Sequence, residues 1–281
     1  MPEDAVVSNV HDTARWIAAH RAMETMREDA LFRDPWAGTF ARDAGFEMAR
    51  RAHAQAGPSV VVRTKLMDEM VLDETRRGAD TVLDLAAGFD TRPYRLALPP
   101  TLRWIEADVD AILREKSRVL ANASPSCLVE RHAVDLSRRE ERDAFLGEAL
   151  AGSRRALVLT EGLLVYLAAQ DVAALSDALL AQPAVRAWAL DLMSPFILRA
   201  NMRRMSADLA NAPLRFAPED GVAFFERLGW RVAETHDAVR ESVRMKRAPW
   251  WVRPFALAPR ADPRKVRRAP WYGIVKLERA P

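Results

Sequence analysis

The sequence predicts an α/β fold: a doubly wound, mainly parallel sheet with helices on both faces. Two observations predict it. From Thr81 onward, short β-rich runs alternate with stretches of helical periodicity, which is the pattern of successive strand–helix–strand units. The chain has 281 residues, 49% of them hydrophobic, enough for one large core, and no Pro-, Gly- or Ser-rich linker divides it.

The elements follow in order. Residues 1–78 read as helical and end in a helix whose Leu66, Met67, Met70 and Val71 form an apolar stripe, stopped at Gly78. The strands are predicted in TVLDLAAG, RWIEADVD, CLVERHAVDL, RALVLTEGLLVYL, VRAWALDLM, WRVAETHD and WYGIVKLER. Between them, Ile112, Lys116, Val119 and Leu120 mark one face of a helix, and Arg138 to Ala151 is a charged amphipathic one. The next helix is expected to begin with Asp171 as N-cap and to bury Val172, Leu175 and Leu179. Two regions stand outside the alternation: the helical N-terminal stretch, and Ser194 to Pro218, with Met and Arg at helical spacing after the fifth strand. Both are read as caps on a single domain spanning 1–281, with a helical N-terminal cap (1–78), a cofactor-binding core (79–193), a lid insertion (194–218) and the C-terminal part of the sheet (219–281).

Composition excludes several classes. One cysteine, Cys127, rules out an internal disulfide framework, and five scattered histidines give no metal-ligand spacing. The N-terminal MPEDAVVSN lacks an apolar core, and the longest apolar run, Ala156 to Ala169, is too short to span a bilayer and is broken by Glu161. A cytoplasmic protein without metal or membrane span is expected. The net charge of +3 is uneven, because Arg240 to Arg268 holds ten Lys or Arg against Glu241 and Asp262. Such a run can meet nucleic acid, but the commoner meaning is a solvated surface, so a nucleic-acid partner is not expected.

In an open α/β sheet the first strand-to-helix turn approaches the ligand most closely. Here it is Ala86-Ala87-Gly88-Phe89-Asp90, with one glycine. A dinucleotide site wants several, so that backbone N–H groups reach a pyrophosphate; an adenosyl group without phosphate needs only one close approach, which Gly88 provides. Asp108 lies 20 residues past Gly88 at the end of the second strand, where a carboxylate can accept from ribose hydroxyls in NAD and adenosylmethionine proteins alike. Asp135, closing the third strand, can accept from an adenine amine. Each Asp can also be a helix N-cap; the two in register behind Gly88 favour a cofactor.

VLDLAAGFDTRPYRL, EADVDAILREKSRVL, HAVDL and TEGLLVYL, in this order, resemble the leucine carboxyl methyltransferase family, including bacterial members related to polyketide O-methyltransferases. TARWIAAHRAMET…DALFRDPWA and VVVRTK resemble it too, so the likeness covers most of residues 10 to 195. It implies a Rossmann-like class I methyltransferase fold with S-adenosyl-L-methionine as cofactor. It further implies that Arg63 pairs with the methionine carboxylate, Gly88 approaches the cofactor, Asp108 holds the ribose, Asp135 with Leu136 frames the adenine, and Glu161 faces the methionine moiety. Ala86 departs from the family, which usually has Gly there.

Methyl transfer from a sulfonium is an in-line displacement in which charge is neutralised, so alignment and exclusion of water matter more than a nucleophilic group. A carboxylate acceptor is ionised at neutral pH; a hydroxyl needs a base within reach. His132 reads as a core histidine, and Tyr166 as an acceptor contact or core. No base stands out, which favours a carboxylate of a small, anionic acceptor. Arg203, with Arg199 and Arg204, lies on a helix that can cover the site with positive charge, the alternative being that at least two of these arginines simply face water. Trp250 and Trp251 can line the acceptor pocket or pack the last loop. A protein C-terminal carboxylate is the alternative acceptor; an NAD-dependent oxidoreductase and a nucleic-acid-binding protein are the alternative classes.

Overall fold

The computed structural model describes residues 10–51, 56–204 and 213–280; residues 1–9 and 52–55 of the expected cap, 205–212 of the expected lid, and Pro281 lie outside the described residues. Three helices come first: α1 (Val10–Thr25), α2 (Ala37–Arg51) and α3 (Ala56–Arg76). The alternating part runs β1 (Thr81–Leu85), α4 (Arg92–Arg95), β2 (Arg103–Asp108), α5 (Asp110–Val119), β3 (Leu128–Ala133), α6 (Arg139–Ala149), β4 (Ala156–Thr160), α7 (Ala169–Leu180) and β5 (Val185–Met193). Then come α8 (Pro195–Arg204), α9 (Ala223–Arg227), β6 (Trp230–Asp237), α10 (Ala238–Arg244) and β7 (Tyr272–Arg279). Two 3-10 helices, Leu164–Tyr166 and Trp250–Leu257, complete the set.

The seven strands form one sheet in the order β3-β2-β1-β4-β5-β7-β6. β1 to β5 pair in parallel, whereas β7 runs antiparallel to both neighbours. The winding reverses between β1 and β4, so the crevice outside their carboxyl ends is where such a sheet takes a ligand.

Side-chain alternation shows how the sequence builds two layers. In β4, Leu157 and Leu159 point to one face with Val82, Ala187 and Ala189, while Ala156 and Val158 join Leu83, Leu85, Trp188 and Leu190 on the other. The α3 stripe of Leu66, Met67, Met70 and Val71 covers the first face, as its spacing predicts. Phe145 and Leu146 of α6 and Val172, Leu175 and Leu179 of α7 cover the second. Trp188 shows what that packing is worth. Fully buried, edge-on to Phe225 at 5.4 Å and donating its Nε1–H to Thr160 Oγ1 at 2.9 Å, it should lose about 3–5 kcal/mol on truncation to Ala.

The N-terminal helices pack on the ligand-side turn. Phe40 of α2 stacks on Phe89 with ring centroids 4.6 Å apart, and the Arg21 guanidinium donates to the Phe89 carbonyl. Three expectations need correcting. α7 starts at Ala169 with Ala168 as cap, so Asp171 lies in the first turn, where its charge faces the positive helix end. The helix expected over Arg138 to Ala151 is shorter by a residue or two at each end. His132 is not a core histidine: β3 is an edge strand, and its ring is partly exposed, tilted on Phe145.

Candidate active site

The turn after β1 has already committed its donors. Ala86 N–H and Ala87 N–H both donate to Ala107 O, at 2.8 and 3.3 Å, and Asp90 N–H to Ala87 O at 2.9 Å. Gly88 N–H donates to Asp108 Oδ2 at 2.7 Å, and Asp108 Oδ1 accepts from Val109 N–H at 2.7 Å. Gly88 and Asp108 therefore meet, a contact not foreseen from the sequence, and the carboxylate is oriented by two backbone donors. With three of these N–H groups spent on β2 and that of Asp90 within the turn, none of the four is left to cradle a pyrophosphate, which disfavours the dinucleotide alternative. Ala86 sits at φ 57 and Gly88 at φ 48, both left-handed. Ala86 therefore adopts the conformation for which glycine is the easy choice.

Across the crevice, Arg63 of α3 and Glu161, just past β4, also meet. Arg63 Nε donates to Glu161 Oε1 at 3.0 Å, and its Nη1 to Asp191 Oδ2 at 3.3 Å and Tyr272 Oη at 3.2 Å. Tyr272 O–H donates in turn to Asp191 Oδ2 at 2.9 Å, and Gly162 N–H to Asp191 Oδ1 at 2.6 Å. Gly162 turns at φ 70, and a Cβ there would lie 3.4 Å from Arg63 Nη1, so this glycine makes room for the guanidinium.

Arg92, the first residue of α4, is the second hub. Its guanidinium donates to Glu161 Oε2 at 2.7 Å, Asp68 Oδ1 at 2.7 Å and Asp90, and Arg95 adds a bidentate pair to Asp68 at 2.5 and 2.6 Å. Burial alone would raise the Glu161 carboxyl; Arg92 and Arg63 outweigh it and hold it below the usual carboxylate range. Asp90 is likewise held low, chiefly by Arg92 against its burial. Asp84, behind the turn, goes the other way: burial and the neighbouring Asp90 push it well above that range.

The remaining predicted residues are more scattered. Tyr166, in the 3-10 helix after Glu161, bonds the Thr13 side chain of α1, and burial pushes its phenol up. Asp135 is exposed beyond β3; its Oδ1 accepts from Ser137 N–H at 3.0 Å and Ser137 O–H at 2.6 Å, a local turn. Leu136 lines a small cavity with Leu85, Leu163, Leu167 and Leu175. Arg199 and Arg203 are exposed on α8, Arg204 ends that helix, and Trp250 and Trp251 are both exposed. The sequence reading missed Arg92, Asp68, Asp90, Asp191 and Tyr272. Asp90 and Arg92 stood inside the FDTRPYR motif; Asp191 and Tyr272 carried no local signal.

The donor set fits an adenosyl amino acid. It offers a strand-end carboxylate beside a left-handed glycine turn, and a guanidinium–carboxylate pair whose opposite charges match an ammonium and a carboxylate. Among the described residues no cluster of metal-ligating side chains occurs, and no helix is long and apolar enough to cross a membrane.

Comparison with known proteins agrees with this chemistry. The sequence profile of the leucine carboxyl methyltransferase family matches residues 14–180. A Streptomyces avermitilis protein, provisionally named an S-adenosyl-L-methionine-dependent methyltransferase, is 33% identical over 276 residues, covering 92% of this chain and 93% of that protein. One from Streptomyces coelicolor with the same provisional name is 39% identical over 173 residues, 57% of this chain and 60% of that protein. The crystal structure of a Thermobifida fusca protein, provisionally titled a methyltransferase, superposes with a TM-score of 0.61 at 16% identity over 95% of this chain and 94% of that one, and so shares the fold.

Proposed function

The chain belongs to the leucine carboxyl methyltransferase family, and on that premise we propose that it is an S-adenosylmethionine-dependent O-methyltransferase acting on a carboxylate of a small molecule. The observation that carries the choice of carboxylate is that, among the described residues, the cluster around Arg63 holds no ready base. Its two phenols, Tyr166 and Tyr272, are both pushed up by burial, and its carboxylates are engaged: Glu161 by Arg63 and Arg92, Asp191 by Arg63, Tyr272 and Gly162. A hydroxyl acceptor would find no group there to take its proton at neutral pH; a carboxylate needs none.

In this reading Arg63 and Glu161 hold the two charged ends of the methionine moiety. Gly88 allows close approach, Asp108 accepts from the ribose, and Asp135 with Leu136 borders the adenine. When bound, the cofactor supplies a methyl group on a positively charged sulfur. The protein's own part is to orient the acceptor and exclude water. Tyr166, tied to α1 through Thr13, sits between the cap and the Arg63 cluster and contacts the acceptor as an alignment residue. Arg203, with Arg199 on the preceding turn of α8, supplies positive charge to an insertion (194–218) that acts as a lid for an anionic acceptor. The N-terminal helices, sheet and lid work as one unit.

A radiolabelled methyl-transfer assay against a panel of carboxylic acids and phenols tests this. The expected product is a methyl ester, which releases its label as methanol in mild alkali. Label that survives alkali would identify an ether and overturn the carboxylate assignment.

A further inference from the structure

Among the described residues ten large apolar side chains are exposed, and four of them fall within the eight residues of the 3-10 helix Trp250–Leu257. Trp250 is 75% exposed, Trp251 44%, Phe255 67% and Leu257 88%, while only Val252 is buried as an anchor. The two tryptophans meet each other edge to face at 5.8 Å. Single exposed apolar side chains need no explanation, but a contiguous group rimmed by polar residues marks a binding surface.

The basic residues before, within and after this helix in sequence fall into two classes. Arg244, Arg247, Arg264 and Arg267 are each paired with an acidic residue, namely Glu241, Glu24, Glu226 and Glu219. Lys246, Arg253, Arg260, Lys265 and Arg268 are exposed and make no ion pair among the described residues, and the exposed acid set among them is Asp262, so the segment carries an excess of positive charge.

We propose that this segment is a docking element for the surface of an anionic lipid bilayer. Trp250, Phe255 and Leu257 enter the boundary between headgroups and acyl chains, and the five cations engage lipid phosphates. Tryptophan suits that depth because its ring is apolar and its N–H polar, and cations beside an anionic surface add affinity that salt removes. Pairing aromatic with basic residues also serves single-stranded nucleic acid, but Leu257, the most exposed of the group, has no π face on which a base could stack.

The place of the segment gives the docking a use. It belongs to the connection that leaves β6 and enters β7 at the end of the sheet where the carboxyl end of β5 meets Tyr272, since Met193 pairs with Tyr272 and Asp237 with Gly273, and it packs on α10. Phe196 and Met202 of α8, 47% and 43% exposed, follow β5 at the same end. A bilayer docked on this connection would face the β6–β7 edge of the sheet, and the proposal holds whichever acceptor is methylated.

The test is co-sedimentation of the full chain with phosphatidylcholine vesicles, with and without phosphatidylglycerol, at low and moderate salt. It is run beside two variants, Trp250→Ala/Phe255→Ala/Leu257→Ala and Arg253→Ser/Arg260→Ser/Arg268→Ser. Thermal melts check that both fold, as expected for changes confined to exposed side chains. The expected result is binding only when phosphatidylglycerol is present, weakened at least about tenfold in each variant and by salt. Failure of the parent protein to sediment at low salt would overturn the proposal, as would undiminished binding by the apolar variant. So would capture of a single-stranded oligonucleotide in place of vesicles, or a solution dimer that the apolar variant dissolves.

Discussion

The cluster around Arg63 and the corner around Asp135 both lie at the carboxyl ends of parallel strands and are built on different principles. Around Arg63, side chains from α3, α4, β5, β7 and the turn after β4 converge, and the bonds that join them reach 98, 128 and 209 residues along the chain. Around Asp135, an exposed carboxylate at the end of an edge strand is held by Ser137, two residues away. In the proposed site the first arrangement would couple ligand binding to the stability of the fold, because its carboxylates are buried or, for Glu161, largely so. The second lets a contact be gained or lost with little effect on anything else. Substitutions on the two sides should therefore differ in kind as well as in size.

The largest effect should come from Arg92→Met. It leaves buried Asp68 and Asp90 and largely buried Glu161 with one guanidinium fewer, and breaking such a network costs about 3–5 kcal/mol. Denaturant unfolding measures it; a loss below about 1 kcal/mol would mean that water replaces the guanidinium and that the cluster is not the rigid half of the site. Next comes Asp108→Ala, which removes the acceptor of the Gly88 and Val109 N–H groups as well as the proposed ribose contact. S-adenosylhomocysteine affinity should fall by about 30-fold or more in a protein that still melts cooperatively, as read by calorimetric titration. Retained affinity would remove Asp108 from the cofactor site.

The pH dependence separates the two sides without mutation. Glu161 is held below its ordinary range in the folded protein, so what it contributes is present above the unfolded-state value and is lost as pH falls through the folded one. S-adenosylhomocysteine affinity should accordingly be flat from pH 8 down to about 5 and decline only in stronger acid. A decline centred near pH 6.5 would point to a histidine in the binding step, which the site does not contain in this reading. Asp135→Ala, on the local side, should weaken the same ligand only about three- to fivefold and leave the melting temperature within about 1 °C. A large fall in stability would show that the corner is braced by more than its own turn.

How much of this was legible beforehand follows the same division. Asp108, Asp135 and Glu161 could be singled out as candidates because each is an acid where a β-run ends, Gly88 because it is the one glycine of the first turn, and Arg63 through the motif it shares with the family. The partners that give Arg63 its setting could not be read. Asp191 looks like any acid inside a buried strand, and Tyr272 like an aromatic opening the last one, until the sheet order sets β7 beside β5. The same order explains His132: its apolar neighbours Ala133 and Val134 suggest an interior strand, and only the topology puts β3 at the edge. Arg92 was visible in FDTRPYR but carries no sign of being buried, because a Thr-Arg-Pro step reads as a solvated helix start.

The smallest predicted effect concerns the one residue that departs from the family pattern. Ala86 occupies φ 57, a conformation that disfavours a Cβ by about 1–2 kcal/mol, so Ala86→Gly relieves that strain. Against this stand the extra freedom of glycine in the unfolded chain, about 0.4–1 kcal/mol, and the loss of one half-buried methyl. The balance should leave the protein between unchanged and about 1 kcal/mol more stable. Gly88→Ala is the mirror experiment: at φ 48 its new Cβ would meet nothing nearer than Ala14 Cβ at 3.8 Å, so the expected loss of about 1–2 kcal/mol is conformational alone. If both substitutions destabilise, the methyl of Ala86 is serving as packing under the turn, and the departure from glycine is a structural choice of this chain. If Ala86→Gly stabilises while S-adenosylhomocysteine affinity holds, the turn tolerates the alanine under strain, and the bonds from Ala107 and Asp108 are what keep it in place.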